Sequence, residues 1–173
     1  AQLASAKSTL CYINELIDEQ LSVAAIHRLY SDVETGSLLT QLAKFFDITD
    51  LPTLTPSIIA KMSQDSHLTF VAPTGQAKSL KPKSEMFTGV RNLDSVFLEH
   101  ALADIEKSVS YQHGFSEVTA QLKTGKYTAA ILIRPVSVSE IQRTAAEGLL
   151  MPPKSTFFTP KLQTGLVIRP LSN

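Results

Sequence analysis

The sequence predicts an α+β fold in which helices cover a mixed, largely antiparallel sheet. Strand-like and helix-like stretches interleave along the chain, as expected for a sheet packed against helices. A Thr74-Gly75 turn separates two strand-like stretches and so predicts an antiparallel hairpin. With 173 residues, 43% of them hydrophobic and 18% charged, the chain is long and apolar enough to bury a sizeable core. We therefore expect residues 1–173 to form a single α+β domain.

The first half of the chain is predicted to contain two extended segments, two helices and the hairpin. Alternating apolar positions with β-branched or aromatic residues indicate the extended segments. Apolar residues between Leu38 and Phe46 fall on one stripe of an amphipathic helix. In chain order, the predicted spans are strands at 9–16 and 22–30, helices at 38–46 and 57–64, and hairpin strands at 67–73 and 77–83.

The second half is predicted to alternate helices and strands. Asp94 is suited to cap one helix, and the spacing of Ser137 and Glu140 is that of a capping box for another. The continuous apolar run at 129–133 indicates a strand buried on both faces. In chain order, the predicted spans are helix 94–105, strand 109–111, helix 116–123, strand 129–133, helix 138–148 and strand 166–168.

Charge and cysteine content narrow the function classes. The 16 Lys and Arg residues balance 16 Asp and Glu residues, which argues against a nucleic acid or an anionic membrane as the main partner. The longest apolar run is far below the roughly 18 residues that span a membrane. Cys11 allows no internal disulfide and is expected to be a buried, inert thiol in a reducing compartment, by default the cytoplasm. Because Ala1 lies inside a helix-like stretch, we expect the chain to be the C-terminal fragment of a longer protein.

Familiar catalytic motifs do not occur in this sequence. It has no Gly-rich phosphate loop, no H-E-x-x-H and no G-x-S-x-G, and its four histidines are scattered. No catalytic residue and no metal site are therefore predicted within the chain, and no cofactor is indicated. We expect a site built from arginine, lysine and hydroxyl groups to bind and orient an anion, with any base or metal supplied from elsewhere.

The first candidate anion site is the pair His27 and Arg28, predicted at the end of the second strand. An imidazole and a guanidinium that emerge together can hold a phosphate or a carboxylate. The alternative is that neighbouring strand residues point to opposite faces, so that one is solvated and the other is satisfied locally.

The second candidate lies in the segment 151–165, where Lys154, Ser155 and Thr156 offer one cation and two hydroxyls, with Lys161 following. The alternative is a long surface loop that Phe157 and Phe158 pin to the core. Whether this segment and the His27 region share one site is left open by the sequence.

A third candidate is Arg134, which follows an apolar strand as Arg169 does in a similar Ile-Arg-Pro segment. If the two strands are parallel neighbours, both guanidiniums face one edge of the sheet, where ligands often bind. The alternative is that each Arg-Pro pair simply ends its strand in solvent.

The segment 126–171 resembles the C-terminal end of an uncharacterised prokaryotic family, domain of unknown function 1015. Its signature there is Met-Pro-x-Lys-Ser-Thr-aromatic-aromatic-x-Pro-Lys-Leu followed by a Gly-Leu-Val strand. The matching residues are Met151, Pro152, Lys154, Ser155, Thr156, Phe157, Phe158, Pro160, Lys161, Leu162, Gly165, Leu166 and Val167. VAAIHRLY and LDSVFLEHALADI also resemble family segments, although Ile26 stands where many members have Thr.

The resemblance implies a partly present site. Full-length family members carry an N-terminal region with an Asp-Gly-His-His-Arg motif, which this sequence lacks and which is similar to a motif of nucleotide-binding ParB-like folds, some of them small-molecule kinases. The resemblance also implies that this chain contacts that N-terminal region. The chain would contribute an edge that binds a phosphorylated or carboxylated metabolite or a nucleotide. The rival hypothesis is a non-catalytic binding or assembly module, and self-association into a homo-oligomer stays open.

Overall fold

The computed structural model describes residues 22–52 and 54–159, together with positions 11, 13, 15–17, 161 and 165. Within these residues it contains eight strands, five α-helices and one short 3-10 helix. The strands are β1 (Ser22–Ala24), β2 (Ile26–Ser31), β3 (Phe46–Leu51), β4 (Leu68–Val71), β5 (Ala77–Pro82), β6 (Ser108–His113), β7 (Ala129–Leu132) and β8 (Phe157–Thr159). The helices are α1 (Thr35–Phe45), α2 (Ile58–Asp65), α3 (Asp94–Ala101), α4 (Phe115–Lys123) and α5 (Val138–Ala146), with the 3-10 helix at Ser84–Phe87.

Six of the strands form one sheet in the order β3-β5-β4-β7-β2-β6. Strands β1 and β8 form a separate two-stranded sheet in which Ala24 pairs with Phe157. Every pairing between described strands is antiparallel. The predicted α+β class is thus confirmed, as is the hairpin, now β4 and β5. The strand predicted at 166–168, and with it the parallel pairing considered for Arg134 and Arg169, lies outside the described residues.

The core has one layer on each face of the six-stranded sheet. One cluster joins the sheet to α1 and α3 and includes Tyr30, whereas the other joins the sheet to α2 and α4 and includes Leu29. Strand β7 supplies Ile131 to the first cluster and Leu132 to the second, because successive side chains of a strand point to opposite faces. This central strand is buried on both faces, which explains its continuous apolar sequence.

Several predicted elements differ from the observed ones. Phe46 opens β3, which pairs with β5, although helical spacing had extended the first helix through this residue. Asp94 is the first residue of α3 and makes no capping hydrogen bond, because its carboxylate is engaged elsewhere. The described positions within 9–16 lie outside strands, and Cys11 is exposed instead of buried in one. By contrast, the Ser137 side chain accepts the Glu140 N–H at 3.2 Å, which is one half of the predicted capping box, while the Glu140 carboxylate accepts from Arg91 and Arg143.

No described helix has both the length and the apolar character that crossing a bilayer requires.

Candidate functional site

The candidate site lies where β2 begins and β7 ends. The chain leaves the two-stranded sheet at Ala25 and enters the six-stranded sheet at Ile26, between β7 and β6. His27 and Arg28 are therefore the second and third residues of β2, so their predicted position at the end of the strand is wrong. Because β2 and β7 are antiparallel, the start of β2 lies beside the end of β7, which leads into Arg134.

His27 is a buried, uncharged residue that completes the backbone hydrogen bonding of the sheet. Its side chain is 3% exposed, and its Nδ1 accepts the backbone N–H of Ile133 at 3.2 Å. Burial, with smaller effects from the positive charges of Arg28 and His113, lowers the pKa of His27 to about 4. The imidazole is consequently neutral near pH 7.

The side chains of His27 and Arg28 point to opposite faces of the sheet. His27 lies on the same face of β2 as Leu29, which belongs to the cluster with α2 and α4. Arg28 lies on the same face as Tyr30, which belongs to the cluster with α1 and α3. The opposite faces agree with the alternative interpretation of the pair, but neither residue is solvated, because both are buried. Arg28 therefore has to be considered with the groups on its own face.

Arg28 is a buried cation with an incomplete set of partners. Only 4% of the residue is exposed, its Nη1 donates to the carbonyl oxygens of Ile26 and, at 3.2 Å, Lys154, and its guanidinium lies 5.2 Å from the centre of the Tyr111 ring. Among the described residues its Nη2 has no hydrogen-bond partner, and no carboxylate forms an ion pair with it. Burial lowers the pKa of the guanidinium.

The segment with Lys154, Ser155 and Thr156 lies next to Arg28, so the structure brings two of the predicted candidates together. Lys154 has an exposed side chain and a left-handed backbone (φ +57°), while its carbonyl oxygen accepts from Arg28. The buried Ser155 hydroxyl lies 3.4 Å from that of Ser95 in the first turn of α3. Thr156 is half-buried.

Two aromatic residues follow this loop, and only one of them packs closely. Phe157 is half-buried in β8 and stacks on His113 with ring centroids 4.3 Å apart. Phe158 points to the opposite face of the strand and is 42% exposed. The loop is therefore anchored by Phe157 and by pairing of β8 with β1. Lys161 is exposed.

Arg134 is already paired with an acid. Its Nη2 lies 2.6 Å from Asp94 Oδ1, its Nε lies 3.1 Å from Oδ2, and its backbone N–H donates to Oδ2 at 2.7 Å. These hydrogen bonds raise the pKa of the Arg134 guanidinium and hold the start of α3 against the end of β7. Arg134 also lines a cleft of about 310 Å³ together with Asn92 and Ser137.

Sequence reasoning missed three neighbours of the site: Ser95, Tyr111 and Asp94. Tyr111 meets Arg28 because the two are directly paired across β2 and β6, which periodicity within one strand does not reveal. Ser95 and Asp94 come from a helix 60 and 40 residues away along the chain from Ser155 and Arg134. The one signal in the sequence was the acidic residue at the start of α3. Its position favoured the interpretation of Asp94 as a helix cap over its role in an ion pair.

The arrangement can bind an anion through one guanidinium, one ammonium and nearby hydroxyls. In the part of the chain that the structure describes, no group of three or more His, Cys, Asp or Glu side chains is arranged to hold a metal ion. A guanidinium, an ammonium and hydroxyl groups can recognise and orient a negatively charged group.

Comparison with known proteins gives a likeness of fold. No protein-family model and no curated protein matches the chain. A conserved hypothetical protein from Pyrococcus furiosus is 11% identical to this chain, with a TM-score of 0.60. The structural alignment covers 86% of this chain and 60% of that protein. A mutant of free serine kinase in complex with AMP is 10% identical, with a TM-score of 0.60. Here the alignment covers 86% of this chain and 58% of the kinase. A mutant of free serine kinase in complex with ADP is 11% identical, with a TM-score of 0.56. The chain thus spans about 60% of the length of the solved structures whose fold it shares.

Proposed function

We propose that this chain binds the phosphate of a nucleotide or of a phosphorylated metabolite, with Arg28 as the principal ligand. The observation that carries the proposal is the buried guanidinium of Arg28. Its Nη2 has no hydrogen-bond partner among the described residues, and the carboxylates of Asp94 and Glu99 act on it without forming an ion pair. A buried cation costs several kcal/mol unless an anion compensates it. A phosphate oxygen bound at Nη2 would supply both the missing hydrogen bond and the missing charge.

The neighbouring loop supports the same role. The backbone carbonyl of Lys154 accepts from Arg28, the side chain of Lys154 is exposed, and Ser155 and Thr156 add hydroxyl groups. The left-handed backbone of Lys154 is uncommon for a residue with a side chain and costs of order 1 kcal/mol or more. Strain of this kind is often found where a loop is shaped for a ligand.

The shared fold favours a nucleotide among the phosphate compounds, because free serine kinase has this fold and is known with AMP and ADP. We further propose that the chain belongs to the family domain of unknown function 1015 and contributes an anion-binding edge to a cytoplasmic enzyme. A chain region outside this sequence would then supply the base or metal. The alternative function is a non-catalytic binding or assembly module.

Calorimetric titration of the 173-residue chain with ADP, AMP, adenosine and inorganic phosphate tests this proposal. We expect ADP and AMP to bind and adenosine to bind at least tenfold more weakly, because adenosine lacks the phosphate. Arg28→Met and Lys154→Ala should each weaken ADP binding at least tenfold. Lys123→Ala, an exposed lysine in the last turn of α4, is the matched control and should leave binding unchanged.

Circular dichroism spectra of each variant establish that the fold is kept. If the intact chain binds neither nucleotide nor phosphate, the proposal fails and the assembly module is favoured. We also expect no phosphoryl transfer from ADP or ATP to small hydroxylated metabolites by this chain alone. Turnover by the purified chain would contradict the view that its site is incomplete.

A further inference from the structure

A second cavity lies on the face of the sheet opposite to Arg28. It has a volume of about 310 Å³ and runs along α2. Its lining residues are Leu51, Pro52, Thr55, Ile58, Lys61, Asp65 and His67. Arg28 faces α1 and α3, so this cavity is separate from the proposed phosphate site and does not depend on it.

A buried imidazole forms one end of this cavity. His67 is 5% exposed, and its Nε2 has no hydrogen-bond partner in the part of the chain that the structure describes. Thr69, two residues further along the chain and inside β4, is fully buried, and its hydroxyl is also without a partner among the described residues. Burial lowers the pKa of His67, so near pH 7 the ring is neutral and carries one N–H and one lone pair.

The exposed mouth of the cavity carries one charge of each sign. Lys61 and Asp65 are exposed and lie one helical turn apart on α2. Neither takes part in an ion pair among the described residues, with the other or with a third group. Within a helix, an acid four positions before a lysine pairs better than the reverse order, and Lys61 precedes Asp65. Both charges are therefore available to a ligand.

The remaining wall is mostly apolar and the net charge is zero. Leu51, Pro52 and Ile58 present hydrocarbon surface, and the neutral His67 adds no charge. A phosphate or a dicarboxylate would meet one cation and one repelling carboxylate here. A ligand with one ammonium, one carboxylate and an apolar body would satisfy every charge and also cover the apolar wall.

We propose that this cavity binds a free α-amino acid with an apolar side chain. The carboxylate of the ligand pairs with Lys61. Its ammonium pairs with Asp65 and donates to the imidazole of His67, which follows Asp65 by two residues. Its side chain packs against Leu51 and Ile58. The cavity volume is at the lower end of the range for small-molecule sites and suits a ligand of this size.

Titration of the ¹⁵N-labelled 173-residue chain with L-leucine, followed by NMR, tests this proposal. We expect saturable shifts of the His67 imidazole nitrogens and of the α2 amides. L-leucinamide lacks the carboxylate and N-acetyl-L-leucine lacks the ammonium, so each should bind at least tenfold more weakly. ADP binding should be unaffected by leucine, which distinguishes this site from the Arg28 site.

Charge variants locate the ligand. Lys61→Gln and Asp65→Asn should each weaken leucine binding at least tenfold while leaving ADP affinity unchanged. Lys123→Gln and Glu117→Gln are matched controls on α4, where both residues are exposed, and should bind leucine as the parent chain does. The proposal is overturned if leucine causes no shift at His67, if the two derivatives bind as well as leucine, or if Lys61→Gln and Asp65→Asn bind it normally.

Discussion

Mild acid should destabilise this fold through His27. The pKa of this imidazole is about 4 in the folded protein, against about 6.5 in an unfolded chain. Between these values the unfolded state binds a proton that the folded state does not, so stability is complete above pH 6.5 and is lost as the pH falls towards 4. From pH 7.5 to pH 4.5 this linkage removes about 2.5 kcal/mol from the free energy of unfolding.

The variant His27→Asn isolates this effect. An asparagine amide oxygen can replace Nδ1 as acceptor for the Ile133 N–H, but it does not titrate. We expect the variant to be less stable than the parent by about 1 kcal/mol at pH 7.5, where imperfect replacement of the hydrogen bond dominates. At pH 4.5 it should be the more stable protein by about 1.5 kcal/mol, and the two stability curves should cross at about pH 6.

Urea unfolding followed by far-ultraviolet circular dichroism measures these values, since the chain has no tryptophan. His100→Asn is the matched control for the exchange of a histidine for an asparagine, because His100 is exposed. Burial also lowers the pKa of His67, which adds the same slope to all three proteins and cancels in their differences. Parallel curves for the parent and His27→Asn would refute the assignment of a depressed pKa to His27.

Two further predictions concern stability. Asp94→Ala should lower the free energy of unfolding by about 2 to 3 kcal/mol, because it leaves Arg134 unpaired while the Arg134 side chain is only 24% exposed. Adding Arg134→Met to this variant should cost much less than the same change costs in the parent. Additive costs in urea unfolding would contradict the pairing. Phe157→Ala should cost about 1 to 2 kcal/mol through loss of the stack on His113, whereas Phe158→Ala should stay within about 0.5 kcal/mol. Equal costs would show that Phe157 is not the anchor.

The elements that the sequence predicted best are those whose side-chain pattern is local. The helical stripe that begins at Leu38, the turn at Thr74-Gly75 and the apolar run at 129–133 each indicate one structure within a short window, and each is observed. The short strands β3 and β8 were missed, because their formation depends on a partner strand. Strand β3 is paired with β5, and β8 with β1, whose residues lie about 130 positions earlier.

The sequence alone determined the α+β class, the balanced charge and the set of candidate side chains for an anion site, because composition and periodicity are properties of neighbouring residues. The tertiary structure decided which of those side chains act together. Strand alternation turned His27 away from Arg28, and an ion pair with Asp94 occupied Arg134. It brought Lys154 to Arg28 across 126 residues and left one guanidinium nitrogen buried without a partner among the described residues. Such contacts depend on the order of strands in the sheet, which no local pattern encodes.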